Sequence, residues 1–113
     1  MKITAESLTP LTHTTYYILL ALTEQLHGYG IMQKVDEMSK SKVKLGPGTL
    51  YGALSKLEKQ GLIVKVEDTE RKKCYILTDF GKQVVTFEFK RIEELVEISR
   101  HIVRSIGGDS NDA

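Results

Sequence analysis

One stretch narrows the folds open to this chain more than any other: a helical pattern that stops at a glycine and turns at once into a strand pattern. Leu50, Ala53, Leu54 and Leu57 recur at the three- and four-residue steps of one helix face. Gly46-Pro47 marks the start, because proline suits the first helical position, where no backbone donor is needed. Gly61 suits the left-handed C-cap that ends it. Leu62, Val64 and Val66 then alternate with Ile63, Lys65 and Glu67, which is the period of a strand. A charged loop, Asp68-Thr69-Glu70-Arg71-Lys72, leads to a second strand at Cys74-Tyr75-Ile76-Leu77, so the pair reads as a hairpin.

The flanking segments supply the rest of a domain. Residues 11–26 are densely apolar, with Thr12 or Thr9 as N-cap, and read as a buried first helix. His27-Gly28 breaks it, and Ile31, Met32, Val35 and Met38 give helical spacing over residues 29–39. Ser39-Lys40-Ser41-Lys42 is a polar break, and Val43-Lys44-Leu45 reads as a short strand. Thr78-Asp79 caps a last long helix that reaches about Ile106, and residues 107–113 form a polar tail expected to be disordered. The fold class is therefore α+β, mostly α. Three helices followed by a β-hairpin make a winged helix-turn-helix over residues 1–78, with a C-terminal dimerisation helix over 79–106.

Size and charge bound the function classes. A chain of 113 residues fits one domain with a thin core, and a partner subunit is a natural source of added stability. No apolar run approaches the ~18 residues of a membrane span, and no secretory pattern stands at the N-terminus. Cys74 is the only cysteine, so no internal disulfide is available, which points to the cytoplasm. The net charge of +1 is uninformative, but its distribution is not. Residues 33–73 hold ten basic against six acidic side chains, +4, whereas the segments before and after are −1 and −2. A basic middle is what an electrostatic footprint on DNA needs, although a solvated charged surface would look similar.

The third helix supplies the candidate base-reading face. With its leucines turned inward, Gly48, Gly52, Ser55 and Lys59 point outward, Thr49 and Lys56 lie along one flank and Tyr51 along the other. A glycine inside a helix costs about 1 kcal/mol relative to alanine, so Gly48 and Gly52 need a reason; close approach of a phosphate or base edge is one. The alternative has Gly46 and Gly48 merely shaping the start of the helix and Tyr51 half-buried. Arg71, Lys72 and Lys73 on the hairpin would reach a phosphate strand or the minor groove, and Lys44 precedes the helix in the basic segment. Tyr29, at the start of the second helix, either adds a hydroxyl to a phosphate site there or packs against Tyr16.

The last helix carries two apolar stripes. Val85, Phe89, Ile92, Val96, Ser99, Val103 and Ile106 alternate steps of four and three, a heptad seam that reads as a dimer interface. Val84, Phe87, Leu95, Ile98 and Ile102 form the second stripe, interrupted by Arg91. One surface can cover the winged domain, and a second copy of the chain is the economical cover for the other. No enzyme is expected. His13, His27 and His101 lie in separate elements without metal spacing, and no glycine motif fits a nucleotide site, so neither metal nor cofactor is expected. Cys74 beside Arg71, Lys72 and Lys73 admits redox sensing, with an inert buried thiol as the default.

Several blocks together resemble the PadR family of bacterial regulators. They are Tyr17-Ile18-Leu19-Leu20-Ala21-Leu22, His27-Gly28-Tyr29-Gly30-Ile31-Met32, Leu45-Gly46-Pro47-Gly48-Thr49-Leu50-Tyr51-Gly52-Ala53-Leu54, Leu57-Glu58-Lys59-Gln60-Gly61-Leu62-Ile63 and the run from Arg71 to Gly81. They fall in family order over roughly residues 11–82. The resemblance implies a dimeric winged-helix repressor, released from operator DNA by an effector or stress signal. Double-stranded DNA, a second copy and a small-molecule effector are the partners so implied. A single C-terminal helix, as here, is the mark of the short class. Two positions depart from the family. Cys74 stands where the wing block often has an aromatic. Ile92 stands where some short members stack an aromatic on flat drug-like compounds, and this chain has no tryptophan. The competing reading from another class is a winged-helix protein-interaction module that does not bind DNA.

Overall fold

The computed structural model describes residues 3–108. Its order is α1 (Ala5–Leu8), α2 (His13–Ala21), α3 (Gly28–Met38), α4 (Pro47–Lys59), β1 (Ile63–Glu67), β2 (Lys73–Leu77) and α5 (Asp79–Ser105). The short α1 has no counterpart in the sequence reading. It is a single turn closed by a capping box, in which the Thr4 side chain accepts from the Ser7 amide and Ser7 accepts from the Thr4 amide. The third helix of the sequence reading is therefore α4.

Helix α2 is shorter than its apolar run. It starts after Thr12, whose hydroxyl accepts from the Thr15 amide, and ends at Ala21 rather than near residue 26. Leu26 is drawn out of the helix by the sheet: its amide donates to the Tyr75 carbonyl at 3.1 Å and its carbonyl accepts from the Tyr75 amide at 2.8 Å. This bridge supplies the extra pairing beside the β1–β2 hairpin, and it also displaces the strand expected at Val43-Lys44-Leu45. That segment has no strand structure, and the backbone of Val43 is satisfied locally. The Ser39 hydroxyl accepts from the Val43 amide at 3.0 Å, and Lys40 and Ser41 turn the chain through positive φ of 53° and 64°.

The transition at Gly61 is a Schellman motif. Gly61 has φ +77°, its amide donates to the Glu58 carbonyl, and the Leu62 amide reaches back to the Leu57 carbonyl, both at 3.0 Å. The hairpin pairs antiparallel in the register Ile63↔Leu77, Lys65↔Tyr75 and Glu67↔Lys73. Leu62 and Ile63 are both buried, Val64 is exposed and Val66 half-buried, so β1 does not keep the simple inward alternation of Leu62, Val64 and Val66. Thr78 ties the end of the hairpin to both neighbours. Its hydroxyl donates to the Gly61 carbonyl at 2.6 Å and accepts from the Gly81 amide at 3.0 Å as the N-cap of α5.

One core joins all of this. Ile18, Leu19 and Leu22 of α2 and its cap, Ile31 and Val35 of α3, and Leu50, Leu54 and Leu57 of α4 meet Leu62, Ile63, Tyr75 and Leu77 of the hairpin region. Val84 of α5 belongs to the same cluster. Gly81 allows this contact, since a Cβ there would collide with the Leu62 carbonyl. Gly107 and Gly108, assigned to the disordered tail from sequence, instead close α5: the Gly108 amide bonds the Val103 carbonyl at 2.8 Å and the Gly107 amide the Arg104 carbonyl at 3.1 Å. The rest of the expected tail, residues 109–113, lies outside the described residues. Among the described residues, no helix is long and apolar enough to cross a membrane.

Candidate nucleic-acid interface

Helix α4 presents one face to the core and leaves the opposite one bare. Leu50, Leu54 and Leu57 are buried, whereas Gly48, Thr49, Tyr51, Gly52, Ser55 and Lys56 are all exposed. A Cβ placed on Gly48 or Gly52 would meet nothing within 4 Å. Among the described residues, packing therefore gives no reason for either glycine, and Gly46, which caps α4 without a side-chain bond, is equally open.

Tyr51 is held in place while staying half exposed. Its ring lies over Gly28 at the first turn of α3, where a Cβ would strike the Tyr51 Oη and Cζ. Gly28 is thus the seat for Tyr51, which ties the start of α3 to the start of α4. Tyr29, the next residue of α3, is 61% exposed and does not pack against Tyr16. Tyr16 sits instead on the α5 side of α2, where burial and the nearby Glu88 carboxylate raise its phenol pKa. His27 caps α3 through Nδ1, which accepts from the Gly30 amide at 3.3 Å, so one amide at that helix start is already taken.

The wing is shaped by one acid. Asp68 Oδ1 accepts from the Glu70 and Lys72 amides, each at 2.8 Å, and its backbone amide donates to the Lys72 carbonyl at 3.0 Å. Arg71 occupies the tip with φ 62°. Arg71, Lys72 and Lys73 are all exposed, as is Lys44 ahead of α4. Lys72 pairs loosely with Glu70 at 3.5 Å, and Lys65 with Glu58 at 3.9 Å. Among the described residues Lys44, Lys56, Lys59, Arg71 and Lys73 have no carboxylate within 4 Å. These five stand on α4, before it and on the wing; Lys40 and Lys42 in the same basic segment, and Lys90 and Arg104 on α5, have no such partner either. Cys74 is buried in β2.

The seam expected on α5 divides in two. Val85 and Ile92 are half-buried toward the winged domain, and Ile92 lines a cleft of about 240 Å³ with His13, Tyr16, Tyr17 and Leu20. Phe89, Val96, Val103 and Ile106 are exposed, and Ser99 returns its hydroxyl to the Leu95 carbonyl. Of the second stripe only Val84 is buried; Phe87, Leu95, Ile98 and Ile102 are exposed. Beyond Ile92, then, both stripes of α5 are uncovered.

Sequence reasoning missed Glu88. It is 1% exposed, and its Oε2 accepts from the Leu11 amide at 2.6 Å while Oε1 accepts from Arg91 Nε. Burial pushes the Glu88 carboxyl up, but the bonds from Arg91 and Leu11, with the charges of Arg91 and His13, outweigh it and hold the carboxyl below its ordinary value. The readable signal is its register: Gly81, Val84 and Glu88 share one arc of α5, and an arginine follows at the third position.

Comparison with known proteins agrees with this architecture. Residues 18–86 match the profile of the transcriptional regulator PadR-like family. An uncharacterized 37.1 kDa protein in transposon TN4556 of Streptomyces fradiae is 38% identical over 72 residues, which is 63% of this chain but only a fifth (20%) of that protein's length. The transcriptional regulator Rv3488 of Mycobacterium tuberculosis is 32% identical over 96 residues, covering 82% of this chain and 81% of that one. Bacillus subtilis PadR, solved in complex with operator DNA, superposes with a TM-score of 0.56 and 31% identity over 69% of this chain and 46% of that one. With more than half of its residues inside the family profile and a relative matched along most of both lengths, the chain belongs to the PadR-like family of transcriptional regulators.

Proposed function

We propose that this protein is a sequence-specific DNA-binding regulator that acts as a dimeric repressor and leaves its operator when an effector or stress signal arrives. The observation that carries the reading is the outward face of α4, bare at Gly48 and Gly52 and flanked by unpaired cations. Such a face suits a major groove, with Thr49, Tyr51 and Ser55 offering hydroxyls to base edges or phosphates. Lys44, Lys56, Arg71, Lys72 and Lys73 neutralise phosphates, and Tyr29 extends the contact at the start of α3. The operator complex of Bacillus subtilis PadR supports DNA as the ligand.

The uncovered apolar stripes of α5 support a second copy as its partner, through Phe89, Val96, Val103 and Ile106 in particular. Two-fold symmetry then sets two copies of α4 about 34 Å apart, on successive major grooves of a pseudo-palindromic site. The α2–α5 cleft beside Ile92 supports a small-molecule effector, since a ligand there would sit between the winged domain and the dimerising helix.

A mobility-shift titration on the DNA upstream of the protein's own gene, at several salt concentrations, tests the reading. A specific shift that weakens steeply with salt is expected. Absence of any specific shift at low salt overturns it and leaves the interaction-module reading in its place.

A further inference from the structure

Glu88 is the last buried residue along α5; beyond it the helix runs to Ser105 without another. Thr78 caps α5 at its start, Val84, Val85 and Ile92 pack it against the winged domain, and two close contacts fix it more tightly. One is Gly81, pressed against the Leu62 carbonyl, and the other is Glu88, bonded to the Leu11 amide in the segment between α1 and α2. Seven residues separate them, about 10 Å along the axis at ~1.5 Å per residue, so together they define the direction in which α5 leaves the domain.

Of the contacts in this region, the hydrogen bond is the directional one. Apolar burial at Val84 is non-directional and tolerates sliding, whereas a 2.6 Å bond to a single backbone amide does not. Arg91, on the same helix, occupies the other carboxylate oxygen and holds the side chain in the conformation that reaches Leu11. Beyond Glu88 lie seventeen residues of helix, a lever of about 25 Å, so a change of about 10° at the tie displaces its end by roughly 4 Å.

We infer that Glu88 is a positioning residue that sets the angle between the winged domain and α5, and thereby the half-site spacing that the dimer accepts on DNA. This inference rests on the dimeric DNA-binding reading above. Each base pair inserted between half-sites moves them apart by about 3.4 Å and turns one about the duplex axis by about 34°, so spacing reads both the reach and the direction of α5.

The test uses operator duplexes whose half-sites are moved apart or together by one and two base pairs. Wild type is expected to favour its best spacing by about tenfold or more. Glu88→Met keeps volume and apolar packing but offers the Leu11 amide no acceptor; it is expected to bring the neighbouring spacings within about threefold of the best, with half-site sequence preference and dimer mass unchanged. Glu88→Gln retains one acceptor for the Leu11 amide but loses the one for Arg91, and is expected to fall between wild type and the methionine variant. Should the methionine variant fail to fold, Glu88→Leu takes its place. A folded, dimeric apolar variant with wild-type spacing selectivity overturns the inference, as does a wild-type protein that binds specifically without regard to spacing. If wild type binds no DNA specifically, the DNA-binding reading is what has failed. The angle is then decided by spin labels on Gln25→Cys in a Cys74→Ser background. An inter-protomer distance distribution that is narrow in wild type and broadened in the apolar variant supports the role of Glu88, and equal widths refute it.

Discussion

Gly52 stands in the middle of α4 with open space where its Cβ would be. Alanine there should stabilise the fold by up to about 1 kcal/mol in a denaturant melt, because helical propensity is the only thing that changes. The same substitution should weaken specific DNA binding by tenfold or more, on the scale of about 1–3 kcal/mol for one lost base contact. Gain of stability with loss of binding would mark a residue kept for its ligand; unchanged binding would return Gly52 to a neutral role. Glu88 makes a second prediction, about acid. Its folded carboxyl pKa lies below its ordinary value, so the stability it contributes is full at neutral pH and is lost as pH falls below the carboxylate range. Glu88→Gln, which has no proton to gain, should show a shallower loss of melting temperature on acidification than wild type. Parallel curves would mean that the Glu88 carboxyl has the same pKa folded and unfolded and carries no such contribution.

The elements divide the work of binding. Helix α4 is placed by what ends it: the Schellman turn at Gly61 hands the chain directly to β1, so helix and wing share one rigid corner. On the proposed reading the wing contributes charge without specificity. Replacing both Lys72 and Lys73 with alanine should lower affinity for all duplexes and reduce the slope of log K against log salt by about 2, given ~0.9 per phosphate contact. Lys73, which has no carboxylate partner, should account for more of the change than Lys72, which Glu70 already engages. Substitution of Thr49 should instead alter which sequences bind. Much of this corner was legible beforehand, since the stripe of Leu50, Leu54 and Leu57, the glycine and the hairpin are local signals. The third strand was not. Val43-Lys44-Leu45 has strand composition, yet Ser39 satisfies the Val43 amide and Leu26 takes the place beside Tyr75. Which segment joins a sheet depends on which backbone reaches it in space.

For the molecule as a whole, α5 is the part that does not make sense alone. It presents Leu95, Val96, Ile98, Ile102, Val103 and Ile106 exposed along about three turns, an apolar surface that water penalises. A dimer through this surface predicts a melting temperature that rises with protein concentration. Replacing Val96 and Val103 with lysine should yield a monomer of half the mass in sedimentation, with the winged domain still folded and operator affinity reduced at least about tenfold through loss of the second half-site. A variant that keeps its mass would move the interface elsewhere.

The amino-acid sequence by itself was enough for the order of the major elements, the inward and outward faces of α4, the basic wing and the presence of two apolar stripes on the last helix. Each follows from the period of side chains along a single element, and such periods survive whatever the rest of the chain does. Tertiary structure decided where those elements stop and what they lean on: α2 yielding Leu26 to the sheet, Gly28 seating Tyr51, and Val85 and Ile92 turning toward the chain's own domain. It also decided Glu88, a charge that reads as surface in a sequence and becomes a buried tie because an unrelated amide, seventy-seven residues earlier, arrives within 2.6 Å of it. Contacts between distant segments have no period to betray them; they exist only once the chain has closed on itself.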